Sequence, residues 1–174
     1  MSAVYALLLG VAAPAASTPP IELDQLPAYK TDRSWSFFRN ELTCSAARAQ
    51  ASDNRILIMA YDAKAKAFTV GFSRLAGKPT ELDNEHVFDL RVTRHGGVVD
   101  DGWEGISFFG MAMPDGSTLW TSQTMEDVAL HDFSDFETII FIYHGKTAGR
   151  FEASGNQAAV REMVSCAKQL VAKP

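Results

Sequence analysis

The sequence predicts a mainly β protein of the α+β class: an antiparallel β-meander with one C-terminal helix packed on it. Short apolar and aromatic runs alternate with turn signals along most of the chain, which is typical of consecutive antiparallel strands. Residues 87–93 alternate apolar and charged side chains, which is the period of a half-buried strand. The last twenty or so residues change to a helical period. We therefore expect a sandwich, or a strongly bent sheet forming a partial barrel, covered by the helix.

The predicted strands follow one another closely. Residues 62–66 are polar between two apolar runs and predict a hairpin, and Pro114-Asp115-Gly116-Ser117 is the strongest turn signal in the chain. Residues 106–113 are apolar on both faces, so we expect that strand at the centre of the sheet. Glycine-containing segments at 77–79 and 95–97 separate further strands. The predicted strands are 35–44, 56–61, 68–72, 87–93, 106–113, 119–124, 138–144 and 147–152.

Two helices are predicted after the meander. Thr124 with Asp127 resembles an N-terminal capping pair and predicts a short helix through Leu130. Ser154 and Gln157 have capping-box spacing and predict the start of a C-terminal helix at about 156–171. The apolar stripe of that helix comprises Val160, Met163, Val164, Ala167, Leu170 and Val171, with Cys166 on or beside it.

The first residues indicate export. Residues 3–16 are apolar and uncharged, and Ala13-Pro14-Ala15 has the small-x-small pattern that signal peptidases cleave. We expect residues 1–17 to be a signal peptide, 18–34 an extended lead-in and 35–174 one β-rich domain, in the bacterial periplasm or secreted. No Lys or Arg precedes the apolar segment, so an uncleaved membrane anchor and a buried N-terminal helix stay open as alternatives.

Cys44 and Cys166 are the two cysteines of the chain. In an exported protein, two cysteines are most simply one disulfide, which would join the C-terminal helix to the sheet. Two separate free thiols are the alternative. The chain contains no Cys-x-x-Cys, and neither cysteine has a histidine within four residues, so zinc and redox roles are not indicated.

Charge is distributed unevenly along the 174 residues, whose net charge is −5. Residues 81–137 hold thirteen Asp or Glu and two basic residues, whereas the remainder holds eight acidic and fourteen basic residues. An excess of acidic over basic residues argues against a nucleic-acid partner. The acidic region either attracts a cation or a basic partner, or simply keeps the domain soluble.

One candidate binding segment lies in the acidic region, where Asp100, Asp101 and Glu104 flank Trp103 in a predicted glycine-containing loop. Clustered carboxylates are calcium ligands, but the spacing matches no EF-hand, and an acidic turn capped by an aromatic ring explains it equally. His131 is a weak catalytic candidate, because its neighbour Asp132 points to the opposite face if both lie on a strand. We expect no metal and no cofactor.

Aromatic residues offer a second way to bind. Eleven Phe and three Trp in so small a domain either line a cavity for an apolar ligand or form an ordinary aromatic core. The chain contains no Gly-x-Ser-x-Gly, no Ser-x-x-Lys and no glycine-rich phosphate loop, so no catalytic residues are assigned and an enzyme is the less favoured interpretation.

Four short features give the chain a recognisable layout: Trp35 shortly before Cys44, Tyr61-Asp62-Ala63 between two strands, Asp101-Gly102-Trp103, and Phe151-Glu152-Ala153-Ser154-Gly155 before a helix that holds a cysteine. This layout resembles that of small periplasmic proteins of Gram-negative bacteria. More distantly the chain is similar to the invasion-associated locus B family, whose β-rich domain also closes with a helix. That family carries further cysteines, so its disulfide plan does not transfer, and it implies no catalytic residues.

These observations predict an exported, non-catalytic binding or accessory module of the bacterial envelope. Its partner is expected to be an envelope protein or a small ligand. One alternative is a periplasmic hydrolase whose site combines the acidic segment with His131. The other is an accessory subunit held at the membrane by an uncleaved N-terminal segment, which is the one case in which membrane contact is expected.

Overall fold

A computed structural model describes residues 28–32, 34–50, 55–74, 85–94, 99–112, 116–126 and 128–172. The strands are β1 (Lys30–Asp32), β2 (Trp35–Arg39), β3 (Thr43–Ala49), β4 (Ile56–Asp62), β5 (Ala67–Arg74), β6 (Glu85–Arg94), β7 (Val99–Ala112), β8 (Thr118–Ser122), β9 (Met125–Glu126), β10 (Phe136–Tyr143) and β11 (Lys146–Glu152). The helices are α1 (Val128–Phe133) and α2 (Asn156–Val171).

All eleven strands belong to one antiparallel sheet. Their order is β1-β2-β3-β4-β5-β8-β7-β6-β10-β11, and β9 pairs with β5 beside the end of β8. Across the part of the chain that the structure describes, the sheet stays open, with β1 and β11 at its two ends. The prediction of a mainly β fold with a bent antiparallel sheet and a C-terminal helix packed on it is confirmed.

The sheet bends so strongly that distant strands meet across its concave face. Phe72 of β5 stacks on Phe141 of β10 with ring centroids 4.1 Å apart, although three strands separate β5 from β10 in the sheet. Phe72 also contacts Phe88, Phe108 and Phe151, with centroids 5.6 to 6.0 Å away. Each such ring pair contributes about 0.5–1.5 kcal/mol beyond the area it buries. Most of the aromatic residues are therefore used to fill the concave face.

Helix α2 packs on β2, β3 and β4. Met163 and Ala167 of its predicted apolar stripe are fully buried. Cys166 on the same helix forms a disulfide with Cys44 of β3, with the two Cα atoms 6.0 Å apart. The predicted disulfide is confirmed, and it fixes α2 to the sheet.

Side chains also attach the end of β11 to β2 and β3. Gln50 exchanges two hydrogen bonds with the backbone of Glu152, donating at 3.2 Å and accepting at 3.0 Å. Arg48 donates to both the carbonyl oxygen and the hydroxyl oxygen of Ser154. The indole of Trp35 donates to the same carbonyl at 3.2 Å. These bonds join the two sides of the bent sheet where no strand ladder does.

The prediction of a single first strand over 35–44 is wrong, because the chain turns between β2 and β3. The carboxamide oxygen of Asn40 accepts the backbone N–H groups of Leu42 and Thr43, at 3.0 and 2.7 Å. An Asn side chain that takes two backbone donors ahead of it stabilises a tight turn. The predicted 62–66 turn uses the same device, since Asp62 accepts the N–H groups at positions 64 and 65.

The start of the short helix and the cap of α2 differ from the prediction. The short helix begins later than expected, at Val128, because residues 125–126 continue the sheet as β9. At α2 the N-cap residue is Gly155, with φ at +80°, and no side chain caps the helix. The hydroxyl of Ser154 accepts from Arg48 instead of capping the helix. Both bounds of α2, Asn156 and Val171, agree with the predicted 156–171.

Some predicted features lie outside the described residues. These are the signal peptide at 1–17, most of the lead-in at 18–34, the turns at 77–79 and 95–97, and residues 114–115 of the 114–117 turn. Neither α1 nor α2 has the length and apolar character that a bilayer span requires.

Candidate functional site

The predicted acidic segment lies in a strand and not in a loop. Asp100, Asp101, Trp103 and Glu104 all belong to β7, which pairs with β6. The register shifts twice along this pair, on either side of Leu90. Such irregularities are β-bulges, which bend a strand and redirect its side chains.

Two glycines make this bulged geometry possible. Gly102 has φ at +72° and Gly105 at +67°, a region that side chains rarely adopt. A Cβ atom on Gly102 would lie 1.8 Å from the carbonyl oxygen of Leu90, so glycine is required there. The N–H of Gly105 donates to the carboxylate of Asp89 at 3.0 Å. The bulges therefore hold Glu104, which lies between the two glycines, exposed at the surface in a fixed backbone conformation.

Trp103 connects the bulged part of β7 to α1. Its half-buried ring stacks on Phe133 with centroids 4.7 Å apart and planes 14° apart, and it meets Phe136 edge-on at 5.6 Å. The ring therefore has a structural partner on each of two elements. It serves as the aromatic plug that the sequence allowed, and it holds α1 beside the acidic segment.

His131 is brought to the same end of the molecule. It is exposed on α1, two residues before the Phe133 ring that Trp103 covers, and Asp132 beside it is exposed as well. We call residues 100–105 of β7 together with His131 and Asp132 the bulge surface. Within the described ranges, no three His, Cys, Asp or Glu side chains are placed to hold a metal ion.

An ion pair borders the bulge surface. The guanidinium of Arg94 lies 3.5 Å from the carboxylate of Asp135, and it also lies over the ring of Phe136. Both charged groups are partly exposed, so solvent screens the pair and its contribution to stability is small. Asp132, three residues before Asp135, is exposed and acidic as well, and Glu104 is exposed farther along β7. The described part of the bulge surface is therefore acidic, and a neutralised arginine borders it on the Asp132 side.

A second polar cluster lies at the start of β6 and was not predicted. The Nδ1 atom of His86 is 2.8 Å from the hydroxyl of Tyr143, and the His86 ring meets Trp120 edge-on at 4.7 Å. His86 is buried. Extending the 87–93 alternation back by one residue would have placed His86 on the same inward face as Phe88. Gly110 leaves room for this cluster, because a Cβ there would lie 2.9 Å from the Trp120 ring.

A small apolar cavity lies between the sheet and α2. Its volume is about 10 Å³, which is the space of one water molecule. Ligand cavities of proteins measure about 300–1,000 Å³, so this one is too small for an apolar ligand. The carboxamide of Asn156 lines it and donates to the carbonyl oxygen of Phe133 at 2.7 Å. The other lining residues are Leu57, Met59, Val70, Phe133, Phe136, Ile139 and Ala153.

Helix α2 also meets the first strand through polar side chains. Glu162 accepts from the hydroxyl of Tyr29 at 3.3 Å and pairs with the ammonium group of Lys30 at 2.6 Å. Burial raises the pKa of the Tyr29 hydroxyl to about 12, and the negative charge of Glu162 and its hydrogen bond act in the same direction. Arg39 beside the ring acts in the opposite direction. This cluster stabilises the contact between β1 and α2.

Comparisons of the chain with protein-family models, with curated proteins and with solved structures find no match. What the protein does must therefore be inferred from its own residues.

Proposed function

We propose that the protein is an exported binding or accessory module of the bacterial envelope, without catalytic activity, that meets a protein partner at the bulge surface. The proposal rests on the contrast between the filled concave face of the sheet and the exposed surface of β7. The described part of the concave face is filled by the chain's own rings, whereas the bulged part of β7 leaves Glu104 exposed in a fixed backbone conformation.

The disulfide supports the export part of the proposal. A bond between Cys44 and Cys166 is compatible with an oxidising compartment such as the periplasm or the exterior of the cell. The apolar residues 3–16 and the resemblance to small periplasmic proteins favour the same address. In that setting the disulfide would stay oxidised and add to the stability of the contact between α2 and the sheet.

The chemistry of the bulge surface favours a basic partner. Glu104 and Asp132 are exposed, and Asp100 and Asp101 lie in the same segment of β7. Complementary charge across a protein interface accelerates association and helps to select the partner. Because Trp103 and the two glycines fix the backbone, little conformational entropy is lost when a partner binds.

A photo-crosslinking experiment tests this proposal. A photoreactive amino acid replaces Asp132 in the full chain, produced in its own host, and the adducts are measured after irradiation with and without alanine at Asp100, Asp101 and Glu104. We expect a discrete adduct whose yield falls about tenfold in the triple variant, since two or three weakened charge contacts suffice for such a loss.

Two controls make the result specific. Alanine at the exposed acidic residues Asp32 and Glu41, remote in sequence from the bulge surface, should leave the adduct unchanged. The photoreactive group at the exposed Gln157 of α2 should not give the same adduct. An adduct that survives the triple substitution, with the fold intact by circular dichroism, would refute the assignment. So would catalytic turnover that disappears in the His131→Ala variant.

A further inference from the structure

Strand β11 forms the end of the sheet, and part of its outer edge has no partner among the residues that the structure describes. The backbone N–H of Ala153 donates to the carbonyl oxygen of Glu137 in β10. Because neighbouring residues of a strand point their N–H and C=O groups in opposite directions, those of Glu152 and Arg150 point away from β10. The backbone N–H and C=O of Glu152 both form hydrogen bonds with the side chain of Gln50. No hydrogen bond within the described ranges reaches the backbone of Arg150 on that side.

The hydrogen bonds from Gln50 imitate those that a neighbouring antiparallel strand would form with β11. One carboxamide both donates to the carbonyl of Glu152 and accepts from its N–H, which is the pattern that two opposed residues form in an antiparallel ladder. The side chain thus takes the place of one residue of a neighbouring strand. The next equivalent position along β11 is Arg150, whose outward backbone groups have no hydrogen-bond partner among the described residues.

The exposed side chains at this edge are basic. Lys146 and Arg150 are exposed, and neither forms an ion pair within the part of the chain that the structure describes. Ile140 of β10 is the register partner of Arg150 on one side and of Arg91 of β6 on the other. Arg91 is exposed too, so two arginines flank one isoleucine on the convex face of the sheet.

We propose that the β11 edge binds an extended acidic segment of a partner protein as an added strand. Main-chain hydrogen bonds to Arg150 would supply affinity, as in other complexes that add a strand to a sheet edge. Acidic side chains of the added strand would lie directly beside Arg150, where opposite charges stabilise a cross-strand pair. A second copy of β11 is a poorer fit, because it would bring basic side chains to a basic edge. This surface is separate from the bulge surface, and the proposal does not depend on it.

Fluorescence anisotropy with synthetic peptides tests the proposal. The probe is a labelled peptide of alternating glutamate and valine, six to eight residues long, titrated with the oxidised full chain. We expect saturable binding that is lost when alternate amides of the peptide are N-methylated, because that change removes main-chain donors and keeps the charge. A peptide with lysine in place of glutamate should bind at least about fivefold more weakly, which corresponds to one cross-strand charge pair.

Two variants locate the site. Arg150→Glu should weaken binding of the glutamate peptide by about fivefold or more. Arg161→Glu makes the same charge change on the exposed face of α2 and should leave binding unaltered. Equal binding of the N-methylated peptide, or equal losses in the two variants, would overturn the proposal. So would a dimer, seen by light scattering, that the Arg150→Glu substitution dissociates, because β11 would then bind a second copy.

Discussion

Reduction of the Cys44–Cys166 disulfide should remove a large part of the stability of the protein. The two cysteines are 122 residues apart. On the chain-entropy model, a bond that closes a loop of that length stabilises the folded state by about 5 kcal/mol, and measured values are often 2–4 kcal/mol. Domains of this size have total stabilities of about 5–15 kcal/mol, so the bond accounts for a substantial share.

The fold should nevertheless survive reduction under native conditions. Met163 and Ala167 are fully buried beside Cys166, and the Trp35, Arg48 and Gln50 side chains continue to attach the end of β11. Reduction leaves all of these contacts in place, because it breaks one covalent bond and removes no side chain. We therefore expect α2 to stay docked, with a far-ultraviolet circular dichroism spectrum close to that of the oxidised protein.

Urea unfolding with and without reductant measures the difference. The free energy of unfolding should fall by about 2–5 kcal/mol on reduction, and the melting temperature by about 6–20 °C. The Cys44→Ala, Cys166→Ala double variant should be insensitive to reductant, which controls for effects of the reductant itself. Mass spectrometry should first confirm that reduction adds two hydrogen atoms to the protein. If the free energies of unfolding of the oxidised and reduced proteins then agree within about 1 kcal/mol, the reasoning is refuted.

Three further outcomes are expected. Gly102→Ala should destabilise the fold by at least about 2 kcal/mol in urea unfolding, because its φ is +72° and its Cβ position is occupied by a backbone oxygen of the facing strand. Gln50→Ala should lower the free energy of unfolding by about 1–3 kcal/mol in the same assay, because the backbone N–H and C=O of Glu152 both lose their partner. Tyr29 should ionise near pH 12 in an ultraviolet titration, and Glu162→Gln should lower that pKa towards 10. Since folding raises this pKa, the stabilisation is complete below about pH 10 and is lost as the pH rises through about 12.

The elements that could be predicted from the sequence are those governed by local patterns. The alternation at 87–93 corresponds to β6. Val160, Met163 and Ala167 of the predicted apolar stripe lie on the buried face of α2, whereas Val171 at the end of the stripe is exposed. The hairpin between β4 and β5 was predictable because Asp62 is the first residue of its turn, and its carboxylate accepts hydrogen bonds from two backbone N–H groups. In each case neighbours along the chain determine the conformation, so no knowledge of the tertiary structure is needed.

The missed elements depend on contacts between residues distant in sequence. Ser154 has the right spacing for a cap, but Arg48, 106 residues earlier, takes its hydroxyl as an acceptor. Residues 100–104 look like a loop because Gly102 is a turn residue, yet β6 pairs with this segment and accommodates the glycine as a bulge. Periodicity does not reveal such pairings, because they are decided by which strands become neighbours in the sheet.

The two proposed surfaces are of opposite charge and lie on different strands, so they can be tested separately. The bulge surface carries Glu104 and Asp132 on β7 and α1, whereas the edge of β11 carries Lys146 and Arg150. A partner with a basic surface would respond to the triple alanine variant and not to Arg150→Glu. An extended acidic segment would show the reverse. A partner that responded to both changes would have to contact both surfaces, and its affinity would then contain an avidity term that single substitutions on either surface should reveal.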